Sequence, residues 1–278
     1  MTNRAVLAAV VLSAGVVAGC ETVETTKPGV VGVERDQRMM ISSADFNRAA
    51  GKAYSDTIAE AKQKGALDRD AAQVERIKTI VGRLAPQTAT FRPDAPAWKW
   101  ETHVISTDEV NAWCMPGGKI AVYTGLLSQV RPTDAELAAV LGHEMAHALR
   151  EHSREQASHQ MAEQAALQIV GAVANLPDIA TQLAPMVFDL TVNLPHSRTD
   201  ESEADRIGVE LAARAGYDPH AALSLWQKMQ KVGGSQPPKL LSTHPPTADR
   251  IKELQAITDK LTPLYQQAKA GGGASAGK

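Results

Sequence analysis

Two histidines enclose a glutamate in the stretch His143-Glu144-Met145-Ala146-His147. Positions four apart on an α-helix fall on one face, about 40° apart around the axis. Both imidazoles can therefore reach one zinc ion, with Glu144 beside them to take a proton from an attacking water. The flanking residues support a helix. Thr133 can cap it with Glu136 as reciprocal partner, and Leu137, Val140, Leu141 and Ala146 supply an apolar face.

Catalytic zinc usually takes three protein ligands and keeps one position for water, so a third ligand must lie elsewhere. A metzincin would need glycine at Arg150 and histidine at Ser153, and has neither. On a continuous helix His152 is turned about 140° away from His147, which makes it a polar or supporting residue rather than a ligand. A thermolysin-like arrangement would use Glu163, but Leu167 stands where its aspartate should be. Further on, Ser197-Arg198-Thr199-Asp200-Glu201-Ser202-Glu203-Ala204-Asp205 reads as a helix start. Thr199 or Asp200 can cap it, Asp200 with Glu203 making a capping box. Glu201 and Asp205 share a face, so one can bind a metal while the other accepts a hydrogen bond from a ligating histidine. Spacing alone leaves Glu201 and Glu203 both open as the ligand.

These two motifs together resemble the HtpX-like and CAAX-prenyl-endopeptidase-type zinc metallopeptidases, closest in layout to periplasmic lipoprotein or BepA-like members. Asn111-Ala112-Trp113-Cys114-Met115-Pro116-Gly117-Gly118-Lys119-Ile120 looks like that family's strand-turn-strand segment. Tyr123-Thr124-Gly125-Leu126-Leu127 leads into the zinc helix, and Ser242-Thr243-His244-Pro245-Pro246 looks like the C-terminal His-Pro motif. The resemblance covers residues 45–260 in consistent order. It implies one zinc ion held by His143, His147 and Glu201, with Glu144 as general base and Asp205 supporting a ligand. It also implies that His244 acts at the metal, covering its open position or stabilising an oxyanion, and that Asn111, Ala112 and Trp113 bind substrate as an added strand. The fold implied is α+β and mostly helical, a gluzincin-type domain with a small antiparallel sheet packed near the zinc-binding helix. Where the family often has tyrosine, this chain has His196; it reads as a solvent-facing residue flanking the helix, with oxyanion stabilisation as the alternative.

The N-terminus carries a second signal. Arg4 precedes an apolar run over residues 5–18, and Val17-Ala18-Gly19-Cys20 closes it. This reads as a secretory signal over residues 1–19 resembling those of bacterial lipoproteins, with cleavage before Cys20 and acylation there. Glu21 is not the aspartate associated with inner-membrane retention, which favours the outer membrane. Cys114 is then the remaining thiol, so no intrachain disulfide is expected. The net charge of −2 and the lack of a basic cluster interleaved with aromatics give nucleic-acid binding no support.

With 278 residues, 44% of them hydrophobic, the chain can bury one substantial core. The expected organisation is a lipidated Cys20 and tether over 20–44, a zinc metallopeptidase domain over 45–265 and a disordered tail over 266–278. Helical patterns run over 45–64 and 70–84, strands over 98–106 and 109–124, and helices from Pro132 onward, one starting at Asp218-Pro219. The apolar runs 166–174 and 183–194 are too short and broken to span a membrane and read as core helices partly lining the cleft, with a helical lid over it as the alternative.

The resemblance and the signal together imply a membrane-anchored endopeptidase acting on misfolded or stalled cell-envelope proteins. The alternative is a chaperone or assembly factor for outer-membrane proteins, working with their assembly machinery, in which zinc is closed off and structural.

Overall fold

The computed structural model describes residues 21–167, 179–232 and 237–275. The signal segment and Cys20 lie outside these residues, as does most of the apolar run 166–174. Among the described residues no helix is long and apolar enough to cross a membrane.

The segment expected to be a free tether is folded onto the domain. Strand β1 (Glu21–Val23) pairs antiparallel with β2 (Gln37–Met39). Between them the Lys27 N–H donates to the Phe91 carbonyl at 2.7 Å. The N–H groups of Val30 and Val31 donate to the Glu210 carboxylate at 2.9 and 3.0 Å. Pro28-Gly29 makes a turn within this segment: Gly29 has φ +63°, and a Cβ there would collide with the Phe91 ring.

Helix α1 (Ser43–Gln63) is capped by Ser42 and buries Phe46, Ala49, Ala50, Ala53 and Tyr54, the stripe of an amphipathic helix. Helix α2 (Ala71–Leu84) is capped by Asp70 and buries Val74, Ile77, Ile80, Val81 and Leu84. Strands β3 (Glu101–Ile105), β4 (Ala112–Met115) and β5 (Lys119–Tyr123) form a sheet in the order β3-β5-β4. β4 and β5 make the expected antiparallel hairpin, turned by Gly117 and Gly118, both at φ +79°. β3, however, lies parallel to β5, so the sheet is mixed rather than antiparallel. The loop leaving β3 bypasses β5 and is held to its end by the Thr107 carbonyl, which accepts from the Gly125 N–H and the Thr124 hydroxyl.

Helix α3 (Asp134–Leu149) starts with the expected Thr133/Glu136 capping box and is buried from Glu136 to Leu149. Helix α4 (His152–Leu167) follows after Glu151, whose φ of +54° breaks the helical path. Helix α5 (Ile179–Phe188) and the wide turn Asp189–Asn193 lie against α1 and β4. Their Leu183, Val187 and Leu190 are buried with Phe46, Trp113 and Met115, so the second apolar run is core packing. Helix α6 (Arg198–Arg214) is capped by Ser197 with Asp200 returning the bond, one turn register earlier than the Asp200/Glu203 box expected. Helix α7 (Ala221–Val232) and the short α8 (Lys239–Thr243) precede α9 (Ala248–Ser275). Residues 266–275, expected as disordered, thus continue a helix; buried Leu261, with Leu264 and Tyr265 packed on the core, carries it onward.

The principal core lies between α2, α3, α6, α7 and one face of the sheet. Within it α3 and α6 pack on each other along their lengths. That crossing is what brings the two sequence motifs together.

Candidate metal centre

Helix α3 presents His143 and His147 to one side, with their Nε2 atoms 3.1 Å apart. Helix α6 presents Glu201 opposite them, its carboxylate oxygens 3.6 Å from His143 Nε2 and 3.5 Å from His147 Nε2. His244, at the end of α8, adds a fourth donor: its Nδ1 is 2.8 Å from Glu201 and 3.2 Å from His143 Nε2. Donor atoms of all four residues lie within 4.8 Å of one another, and all four residues are buried. Imidazole nitrogens crowded together in a dry site repel unless a proton or cation sits between them. Burial, aided by the neighbouring imidazoles, pushes the His147 pKa well below its usual range, which favours the neutral, lone-pair form a metal needs. Burial opposes ionisation of Glu201, but His244, His143 and Arg250 outweigh it and hold the carboxyl below the usual range. Three imidazoles and one carboxylate of this kind suit a divalent transition metal.

Glu144 points into the same space without joining the donor set. Its Oε1 is 3.5 Å from His244 Nε2 and has no hydrogen-bond partner among the described residues. Burial pushes its carboxyl above the usual range, against the opposing pull of His244 and His143. A carboxylate with raised proton affinity and one unengaged oxygen is equipped to take and return a proton.

Each α3 histidine is held from behind. Asp205 Oδ1 is 3.0 Å from His143 Nδ1, and Arg250 from α9 grips both Asp205 (Nε to Oδ2, 2.8 Å) and Glu201 (Nη1 to Oε2, 2.7 Å). Sequence reasoning missed Arg250; the signal available was two acidic ligand-side residues with no cation assigned to them. His152, expected as a polar or supporting residue turned away from His147, instead brings its Nδ1 to 2.9 Å from His147 Nδ1. Glu203 faces His152, Arg150 and Arg35, which leaves Glu201 alone on the donor side. His196 departs from the expectation of a solvent-facing residue. It is buried and stacks on His147 at 4.1 Å between ring centroids, because its backbone N–H docks on the Thr243 carbonyl beside His244.

The family model described as peptidase family M48 matches residues 71–258. The chain belongs to peptidase family M48. Its HExxH helix, Glu201 and His244 all fall inside the matched region. Among its relatives, the mitochondrial metalloendopeptidase OMA1 of Arabidopsis thaliana is 40% identical over 62% of this chain. The metalloprotease YcaL of Escherichia coli is 27% identical over 92% of this chain and 97% of its own length. A putative beta-barrel assembly-enhancing protease of Vibrio cholerae is 31% identical over 58% of this chain. The chain spans only 35% of the Arabidopsis relative's length and 35% of the Vibrio relative's.

In this M48 chain the strand expected to bind substrate lies at the sheet edge among the described residues, paired with β5 and packed along α3. Its side chains are already engaged. Asn111 Oδ1 accepts from the Ala112 N–H at 3.0 Å, and the Trp113 Nε1–H donates to the Tyr123 hydroxyl at 3.2 Å. Ala112 and Cys114 face the principal core, and Trp113 and Met115 face the second. The Asn111 carbonyl also accepts from the Tyr123 N–H at 3.1 Å and Trp113 is in register with Ala121 of β5, so these three residues offer a peptide little side-chain surface and few unpaired main-chain groups. Among the described residues Cys114 is a free, buried thiol, its proton affinity pushed well up by burial with a contribution from Glu144. Beside His143 and Glu144 opens a narrow apolar pocket of about 20 Å³, walled by Val140, Val209, Leu225, Trp226 and Met229.

Proposed function

We propose that this M48 family member is a zinc-dependent endopeptidase, anchored to the bacterial envelope through Cys20, that cleaves misfolded or stalled envelope proteins. The observation that carries the reading is Glu144: a buried carboxylate with an unengaged oxygen, beside four converging donors, is what a hydrolytic site requires and a structural site does not. His143, His147 and Glu201 would hold the ion, His244 standing near as a fourth donor. When bound, zinc supplies Lewis acidity, polarising the scissile carbonyl and lowering the pKa of water. Glu144 then accepts the proton of the attacking water and returns it to the leaving amine, a role worth about 10²–10⁴-fold. Asp205 and Arg250 keep the His143 ring oriented through the cycle. The free edge of β4 would pair with an extended peptide through main-chain bonds, which suits unfolded substrates of varied sequence. The envelope address rests on the lipoprotein-like signal and on the likeness to the two bacterial relatives, which also support a periplasmic, BepA-like layout within the family.

A second reading is a chaperone or assembly factor for outer-membrane proteins, with zinc closed off. It is favoured by His244, whose Nδ1 is close enough to Glu201 to complete a four-donor site. One experiment separates the two. The chain from residue 21 onward, wild type beside Glu144→Gln, is assayed for zinc content and for cleavage of unfolded casein. Zinc in both with cleavage only by wild type supports the endopeptidase. Zinc in both with cleavage by neither supports the closed site, and absence of zinc from the wild type sinks both.

A further inference from the structure

A second group of metal-type donors lies behind the first: His152, Asp200 and Glu203, all buried. It is not vacant for a cation, because two guanidiniums already fill it. Arg35 Nε is 2.7 Å from Glu203 Oε1, and Arg150 Nε is 2.9 Å from Glu203 Oε2. What the group leaves open is a hydrogen-bond path. His147 Nε2 faces the donor cluster, while its Nδ1 is 2.9 Å from His152 Nδ1, and His152 Nε2 is 3.0 Å from Glu203 Oε2.

With both imidazoles neutral, one arrangement of protons satisfies the His147–His152 and His152–Glu203 contacts. Glu203, paired with two arginines, is an acceptor, so His152 must carry its proton on Nε2 and donate it there. His152 Nδ1 is then bare and accepts, so the proton of His147 must sit on Nδ1. That leaves His147 Nε2 with its lone pair directed at the cluster. The reverse order would set a bare His152 Nε2 against a carboxylate and place a proton on His147 Nε2, where a ligand bond should form.

We infer that His152 is a positioning residue that fixes the metal-binding tautomer and ring orientation of His147 by relaying it to the Glu203–Arg150–Arg35 group. His143 reaches its carboxylate, Asp205, directly; His147 reaches its own through a second imidazole. The inference rests on the reading of His143, His147 and Glu201 as zinc ligands.

The test is zinc affinity by competition with a chromophoric chelator for the full mature chain, comparing wild type, His152→Leu and His152→Gln. The glutamine side chain can accept from His147 through its carbonyl and donate to Glu203 through its amide; leucine can do neither. The expected result is an affinity about 10–100-fold weaker for His152→Leu, with most of that loss recovered by His152→Gln. Equal affinity in all three overturns the inference, as does equal loss in both variants. Wild type that binds no zinc overturns instead the reading beneath it. Should His152→Leu not fold, ¹⁵N-histidine NMR of the zinc-loaded wild type decides. A coupling across Nδ1–H···Nδ1 between His147 and His152 supports the relay, and zinc coordination through His147 Nδ1 refutes it.

Discussion

Gly142 of α3 and Gly208 of α6 meet backbone to backbone. A Cβ on Gly142 would lie 2.6 Å from the Gly208 carbonyl oxygen, and one on Gly208 would lie 2.6 Å from the His143 nitrogen. No side chain fits at this crossing, so the helices approach closely enough for His143 and Glu201 to address one point. Gly142→Ala and Gly208→Ala should each force the helices apart, destabilising the metal-free protein by about 1–3 kcal/mol. Zinc affinity should fall in both, since the carboxylate moves away from the imidazoles. Thermal unfolding and chelator competition measure the two effects; an alanine at either site that left both unchanged would show that the close approach does not set the site.

His244 sits between Glu201 and Glu144, and it is proposed as a gate over the metal. Burial lowers its proton affinity, but Glu201 and Glu144 outweigh this and raise it above the ordinary histidine range. If the ring covers the open position at rest, His244→Ala should raise casein cleavage; if it steadies the oxyanion, cleavage should fall, by up to about 10²–10³-fold for the loss of one such donor. A variant with wild-type cleavage would remove His244 from the chemistry altogether.

Acid should unfold the metal-free protein through the carboxylates that the core holds ionised. Burial works to raise Glu203, but His152, Arg35 and Arg150 override it and bring its carboxyl down to about 2. A depressed carboxylate contributes stability that is fully present above its unfolded value of about 4.3 and is lost as pH falls through the folded value. Glu155, Glu201 and Asp205 are shifted in the same direction. The urea midpoint of wild type should therefore drop steeply as pH is lowered from about 4.3 towards 2. Glu203→Gln should be less stable at neutral pH yet show a shallower drop over that window. An unchanged slope would mean that Glu203 does not titrate with unfolding.

Much of the site was legible along the chain. The spacing of His143 and His147, the Thr133/Glu136 cap that starts their helix, and the pairing of Glu201 with Asp205 on one face all arise within a few residues. The same holds for the buried stripes of α1 and α2. His152 shows where that reasoning stops. A continuous helix would carry it away from His147, but the left-handed Glu151 turns the chain and returns the ring beneath it.

The sequence by itself determined which residues could be ligands, which faces they share and which segments are helices, because caps, periodicity and i,i+4 neighbours are short-range properties of the backbone. Only the tertiary structure decided their partners. Arg250 reaches Asp205 from 45 residues away, and Arg35 reaches Glu203 from 168 residues away. The parallel placement of β3, the burial of His196 and the docking of residues 21–39 belong to the same class. Such contacts depend on where helices cross and which buried charges then need a counterion, and no local pattern encodes either.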